Sequence, residues 1–529
     1  MTSYVTLYRV TLEMHPQRWG DPAAAQPLPD IVRGLVEAFV GTRDTPASTA
    51  VTLPASGLSD DLLASLRTAV GDDAVLVDDE TRRLRTRGKS TPDLLLARAG
   101  DLSDAPDAVV RPGSHEDVAA VLAWAVDHHV AVVPFGGGTC VTGGLVARRD
   151  GFAGLVSLDL VRLDRLLSVD DVSRTAALQP GMRGPAAEAA LAEHGLTLGH
   201  FPQSFEFASI GGFAATRSSG QSSAGFGRFD DMVVGLRVAT PAGELVLGSA
   251  PANAAGPDLR EAVLGSEGTL GVITEVTVRV RPVAAEKKYE AWSFPTFAAG
   301  ADAMRQLSQA RLLPTVLRLS DEAETMVNLA SQKDVGGEGV SGCVMIVGHE
   351  GASVAARRAE VASVLQSLGG IDLGEERGLS WAEGRFHAPY LRDSMLDAGV
   401  LVETLETATF WSNRDRLYTS VRSALETSLG EGTLVLCHIS HVYETGCSLY
   451  FTVATAQDDD PMAQWSAAKV AACDAMIDAG ATITHHHAVG TDHRPWLARE
   501  IGPVGVAMLR GLKEAVDPTG VLNPGVLIP

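Results

Sequence analysis

Cysteine is scarce in this chain: five residues (Cys140, Cys343, Cys437, Cys447 and Cys473) and no Cys-x-x-Cys pair. That excludes a disulfide framework and leaves reduced thiols. A basic surplus is also missing. Lys and Arg number 43 against 65 Asp and Glu, for a formal charge of −22. Without a basic stripe there is nothing to neutralise phosphates, so nucleic acid is excluded as a partner, as is a purely electrostatic hold on an anionic bilayer. No run reaches the roughly 18 apolar residues that a membrane span needs. The opening Met1-Thr-Ser-Tyr-Val-Thr-Leu-Tyr-Arg9 lacks the charged-then-apolar order of a secretory leader. The final Val-Leu-Ile-Pro529 is not the Ser-Lys-Leu peroxisomal address. A cytoplasmic protein is expected, with peripheral membrane contact through an apolar patch left open.

What is present is 45% hydrophobic and 20% charged residues, the balance of a globular enzyme. A chain of 529 residues exceeds what one core holds, so two or three packed units are expected. Residues 1–90 form a mixed extension, with a helix near Leu28–Val40 and an irregular Pro22–Pro27 connection. The texture then changes. Asp107-Ala-Val-Val-Arg-Pro predicts a strand, Ser114 caps a helix over Val118–His128, and Val130-Ala-Val-Val-Pro134 predicts a second strand. Further strands are expected at 154–160, 175–180 and 232–240, with an alanine-rich helix at Gly184–His194. Gly271-Val-Ile-Thr-Glu-Val-Thr-Val-Arg-Val-Arg-Pro282 alternates with period two and closes the sheet. This unit spans residues 91–284. Residues 285–510 read as helix, strand, helix, strand, helix, then a helix at Ser412–Leu429 and a strand at Thr433–Tyr443. That order suggests an antiparallel sheet with helices on one face. The turn-rich end, Asp517-Pro-Thr-Gly-Val-Leu-Asn-Pro-Gly525, belongs to a segment 511–529.

Chemistry first shows in glycine. Pro134-Phe-Gly-Gly-Gly-Thr139-Cys140 follows a strand, and its glycines let consecutive N–H groups converge on a diphosphate. It matches neither the Rossmann Gly-x-Gly-x-x-Gly nor a P-loop, and alone it could be a plain tight turn. Ser209-Ile-Gly-Gly-Phe-Ala-Ala-Thr-Arg-Ser-Ser-Gly220 and Gly265-Ser-Glu-Gly-Thr-Leu-Gly271 add two more such loops in one α/β unit. A large, flat, phosphate-bearing ligand accounts for all three.

Those three stretches, with Gly199-His-Phe-Pro-Gln203 and Leu522-Asn-Pro-Gly525, stand in the order found in the vanillyl-alcohol-oxidase-type FAD enzymes. Residues 90–529 resemble that family. The resemblance implies an α+β fold: a two-part FAD-binding domain, a cap domain whose antiparallel sheet is covered by helices, and a C-terminal segment returning to the FAD domain. Pro134, Phe135, Gly136, Gly137, Gly138, Thr139 and Cys140 would then cradle the pyrophosphate. Pro202, Gln203, Ser204, Ser209, Gly211, Gly212, Ala215, Thr216, Arg217 and Ser218 would line the rest, with Gly265, Ser266, Glu267, Gly268, Thr269, Leu270, Gly271 and Asn523. Cys140 would face phosphate and not the flavin ring, so the implied FAD is non-covalent.

Arg392-Asp393, Glu403-Thr-Leu-Glu-Thr407, Cys437-His-Ile-Ser-His-Val-Tyr-Glu-Thr-Gly446 and His485-His-His-Ala-Val-Gly490 further resemble the alkyl-dihydroxyacetonephosphate synthases, the ether-lipid branch. That branch exchanges the acyl group of acyl-dihydroxyacetone phosphate for a long-chain alcohol through a flavin N5 adduct. By motif, Tyr443 would be the acid/base, His485, His486 and His487 the essential triplet, and Arg392 the substrate-phosphate ligand. Thr404 stands where the branch has serine. Arg318 is a candidate second phosphate contact. A homodimer is also implied.

Blander readings stay beside these. Arg392 could be a surface partner of Asp393, and Tyr443 a half-buried strand tyrosine. Were the triplet on a strand, His485 and His487 could share a face and bind a metal with His441 or Glu444. Related D-2-hydroxy-acid dehydrogenases do bind a metal through histidines and a glutamate, but this chain has Tyr443, Tyr450 and His486 at those places, so no metal is expected. The competing function is an FAD-linked oxidase or dehydrogenase of a D-2-hydroxy acid or alcohol.

Overall fold

The computed structural model describes residues 13–21, 23, 27–28, 30–331 and 342–529. The opening nonapeptide and most of the 22–27 connection lie outside them. Two sheets build the first half. In the smaller, Ala108–Val110, Leu155–Asp159 and Ala131–Phe135 run parallel, with Val75–Leu76 antiparallel at the edge. Parallel strands need a crossover, and the helix His115–His128 carries the chain from Ala108–Val110 to Ala131–Phe135 on the far side of Leu155–Asp159. Ser114 starts that helix by accepting the Asp117 N–H at 3.0 Å. Ala131, Val132 and Val133 are buried, which explains a near-continuous apolar run where alternation would mark a one-sided sheet.

The second sheet is antiparallel, in the order Leu166–Asp170, Thr175–Leu178, Val272–Arg279, Val233–Thr240, Gly243–Leu247. The alternating Val272–Arg279 is last in sequence but central in space. Its predicted extension to Pro282 breaks after Arg279, and Arg281–Pro282 pairs instead with Leu196–Thr197.

Beyond residue 285 stands a seven-stranded antiparallel sheet, ordered Ile371–Asp372, Glu286–Phe294, Cys343–Gly351, Val316–Ser320, Leu434–Ile439, Gly446–Ala456, Val400–Phe410. The helices Phe297–Gln309, Arg414–Leu429 and Pro461–Asp478 pack into its core through Met304, Leu417, Val421, Leu425 and Trp465. The expected α+β arrangement is therefore present. Three of the long strands, Glu286–Phe294, Val400–Phe410 and Gly446–Ala456, were not foreseen.

The C-terminal return is a backbone connection. Val132 donates to the Val521 carbonyl at 2.8 Å, and Asn523 donates to the Val132 carbonyl at 2.8 Å, which lays Leu522 along the first sheet. The helical stretch Arg494–Val516 is broken at Gly502–Pro503, and its second part continues past residue 510. The return thus begins at Asp517, because Pro518 cannot continue a helix and residue 517 is restricted before it.

Candidate active site

The three glycine stretches converge. A Cβ on Gly136 would meet Ser209 Oγ at 2.4 Å, and one on Gly137 would meet the Phe207 carbonyl oxygen at 2.3 Å. The first loop therefore lies backbone-to-backbone against the second. Ser209 caps the helix Ile210–Ala215, and Gly265 and Glu267 donate to the Ala214 and Ala215 carbonyls at 3.0 and 2.9 Å. A Cβ on Gly268 would meet Pro134 Cγ at 2.8 Å, closing the ring of loops. Asn523 bridges it from the C-terminal segment, its Nδ2 donating to the Gly144 and Glu267 carbonyls at 2.9 and 2.7 Å. Around this ring His200 Nδ1, Gln203 Nε2, Gln221 Oε1 and Asn523 Oδ1 are buried without a protein partner. Buried polar atoms are rarely left so. A polar, elongated ligand with phosphates answers both the small-residue cradle and these atoms.

Two residues of the set do something else. Arg217 directs its guanidinium at Asp230 (3.2 Å), Glu261 (2.7 Å) and the Leu264 carbonyl (3.0 Å); it braces the third loop and its charge is spent there. Cys140 accepts the Gly144 N–H at 3.1 Å. Burial, then the nearby Glu267 charge, pushes its thiol up to about 12. A thiol so inward and so weakly acidic is no tether for a flavin.

Next to the ring sits a cluster of tyrosine and imidazole. Tyr443 lies in the turn after Leu434–Ile439, not on the strand, and the triplet His485–His487 lies in a loop. The face-sharing argument for a metal on a strand therefore does not apply. Tyr443 Oη lies 2.5 Å from His485 Nε2, and His485 Nδ1 lies 3.0 Å from His486 Nδ1. His441 stacks on His485 with centroids 5.0 Å apart, while its Nδ1 meets Ser219 Oγ (2.9 Å) and Ser223 Oγ (2.6 Å) of the first half. His441, His485 and His486 each bring a ligand atom within 4.8 Å of the others. His485 spends both nitrogens on hydrogen bonds, so the geometry supports a hydrogen-bond chain.

The carboxylate of Glu406 organises the triplet. It accepts the backbone N–H groups of His485, His486 and His487 at 2.7, 3.1 and 2.9 Å and the Thr484 hydroxyl at 2.5 Å. Burial would raise its pKa, but the three imidazoles and these donors hold it well below the usual carboxylate range. Burial in turn lowers all three imidazoles to about 4, with Glu406 opposing. The triplet is neutral at neutral pH. Glu406 stood inside a quoted motif yet received no role from sequence, since a buried acid on a strand looks like any other.

Thr404, two residues earlier on the same strand, adjoins Tyr450, which it helps keep from rising further in pKa, and the Tyr450 ring stacks on His438 at 4.7 Å. Behind it Arg318 is committed to Glu324 (2.9 Å) and His438 (3.0 and 3.1 Å). The guanidinium expected as a second phosphate contact is thus already paired in this structure. Arg392 differs. Its Nε and Nη2 are buried without a hydrogen-bond partner, and Asp393 accepts the Trp19 N–H at 2.7 Å, so the two do not form an ordinary surface pair. Buried, unsatisfied guanidinium nitrogens suit an anion.

Comparison with known proteins agrees with this geometry. Residues 106–248 match the FAD binding domain family and residues 283–527 the C-terminal domain of FAD linked oxidases. The alkyldihydroxyacetonephosphate synthase of Dictyostelium discoideum is 35% identical over 481 residues, 86% of this chain and 78% of that one. The same-named protein of Trypanosoma brucei brucei is 32% identical, covering 90% and 82%. A solved alkyldihydroxyacetonephosphate synthase superposes with a TM-score of 0.82 at 30% identity, covering 97% of this chain and 98% of that one. p-Cresol methylhydroxylase, at 16% identity and a TM-score of 0.68, shares the fold alone. The chain belongs to the alkyldihydroxyacetonephosphate synthase family of FAD-dependent enzymes.

Proposed function

We propose that this protein exchanges the acyl group of acyl-dihydroxyacetone phosphate for a long-chain alcohol, forming an ether bond. The bond from the substrate carbon to the carboxylate breaks, a bond to the alcohol oxygen forms, and the alcohol proton leaves with the fatty acid. There is no net redox change. FAD, when bound, supplies an electron-poor ring that can hold and release the reacting carbon. The residues of this chain supply the rest. Arg392 offers its unpartnered N–H groups to the substrate phosphate. Tyr443 holds a transferable proton at Oη, and His485 and His486 continue the hydrogen-bond chain behind it. Glu406 keeps the triplet in register. A positioned acid/base of this kind contributes on the order of 10²–10⁴-fold in rate.

The observation that carries the reading is the pairing of Tyr443 Oη with His485 Nε2 at 2.5 Å. The test is anaerobic mixing of the holoenzyme with acyl-dihydroxyacetone phosphate and a fatty alcohol, and separately with D-2-hydroxy acids. Alcohol-dependent release of fatty acid without lasting bleaching of the flavin is expected. Stable flavin reduction by a hydroxy acid, with no fatty acid released, would sink the transferase reading in favour of an oxidase. Tyr443→Phe should lose at least ~10²-fold in turnover while keeping its FAD.

A further inference from the structure

His441 stands two residues before Tyr443, in the connection between the strands Leu434–Ile439 and Gly446–Ala456. Its backbone is locked to the second strand: the His441 N–H donates to Ser448 Oγ at 3.2 Å, and the Ser448 N–H to the His441 carbonyl at 2.9 Å. The side chain is buried and works in two directions. One edge crosses the seam between the halves, where Ser219 Oγ and Ser223 Oγ both meet Nδ1, at 2.9 and 2.6 Å. One face turns inward. It stacks on His485 with centroids 5.0 Å and planes 23° apart, and the ring meets that of His486 at 4.9 Å and 72°.

His485 is thereby bounded on every side. Tyr443 Oη takes one ring nitrogen and His486 Nδ1 the other, Glu406 takes the backbone N–H, and His441 covers a face. The outer torsion of an imidazole is broad, so bonds at the ring edges leave it room to tilt, and a hydrogen bond weakens steeply as its angle closes. A second ring on the face removes that tilt. We propose that His441 is a positioning residue of the acid/base pair: pinned by two serines of the FAD-binding half, it holds the His485 imidazole in line with Tyr443 Oη. The inference rests on the reading of Tyr443 as the acid/base of the transfer. Burial, then the charges of His486 and His485, holds the His441 imidazole well below its usual pKa, so it packs there as a neutral ring. Ser219 and Ser223 lie within the matched FAD binding domain, residues 106–248, and His441 within the matched C-terminal domain, residues 283–527. The alignment therefore exists only while the two halves are seated on each other.

The test separates the two directions in the holoenzyme. His441→Asn keeps a polar partner for the serines without the ring, and His441→Phe keeps a ring on His485 without the serines. The Tyr443–His485 hydrogen bond should give a proton NMR signal far downfield, identified by its loss in Tyr443→Phe. In both His441 variants that signal should move upfield or broaden, and kcat should fall by about tenfold or more. KM for acyl-dihydroxyacetone phosphate and FAD content should stay near the parent's. A signal and a kcat unmoved in both variants overturn the proposal. So does a kcat that falls only together with FAD content, because His441 would then merely hold the halves together. If the signal moves as expected but even the parent never turns over the acyl substrate, the transferase reading fails and the His441–His485 positioning stands.

Discussion

Glu267 ties both halves together with one carboxylate. It accepts the Val489 N–H at 2.9 Å and the Gly490 N–H at 2.9 and 3.0 Å, two residues past the histidine triplet. Burial raises its pKa to about 7 from the usual 4.5, with those N–H groups opposing. The folded protein thus binds this proton more tightly than the unfolded chain does, and between 4.5 and about 7 stability is lost as pH rises. Glutamine keeps an acceptor but has no proton to lose. Glu267→Gln should therefore gain on the parent between pH 5 and pH 8, by a few degrees of Tm. Parallel melting profiles across that range would contradict this assignment. At this scale legibility was uneven. Tyr443, Arg392 and the triplet could be read because each sits in a short motif. Glu406 could not, since the backbone donors it holds lie about eighty residues away and nothing local distinguishes it from any other strand acid. For Arg318 the motif was visible, but its pairing with Glu324 and His438 was not.

At the scale of elements, the glycine loops explain why so few side chains mark the cofactor site. The first loop presses on Phe207 and Ala208 so closely that a Cβ on Gly137 would sit 2.3 Å from one and 2.7 Å from the other. Backbone cannot yield there as a flexible side chain would. Gly137→Val should purify with little flavin by its visible absorbance, and normal flavin content would show that the loops have room to part. The first-half elements were legible because capping and alternation agree with their burial, as at Ser114 and along Val272–Arg279. Val400–Phe410 was hidden because Glu403 and Glu406 interrupt its apolar pattern. Both acids are buried at 3% and 1% exposure, one accepting the Thr91 N–H at the start of a helix and the other holding the triplet. Local patterning cannot show an acid whose donors come from distant loops.

Across the whole molecule, the C-terminal segment acts as a clasp. Lys513 donates to the Thr269 and Leu522 carbonyls at 2.8 and 2.6 Å and pairs with Asp517 at 2.6 Å, so the last helix, the third glycine loop and the returning strand share one cation. Removing residues 517–529 should release FAD and lower the unfolding temperature of the first half, followed by flavin fluorescence during melting. Retained flavin in the truncated protein would show that the clasp is dispensable.

The hydrogen bonds from Val521 and Asn523 to Val132 carry a consequence for biosynthesis. Ribosomes make Val132 and the glycine loop beside it long before they make residues 521–523, so the nascent first half waits with one sheet edge unpaired. If the clasp is required for flavin binding, flavin capture waits for the end of translation, and a stalled or clipped chain should stay colourless however well its early domains fold.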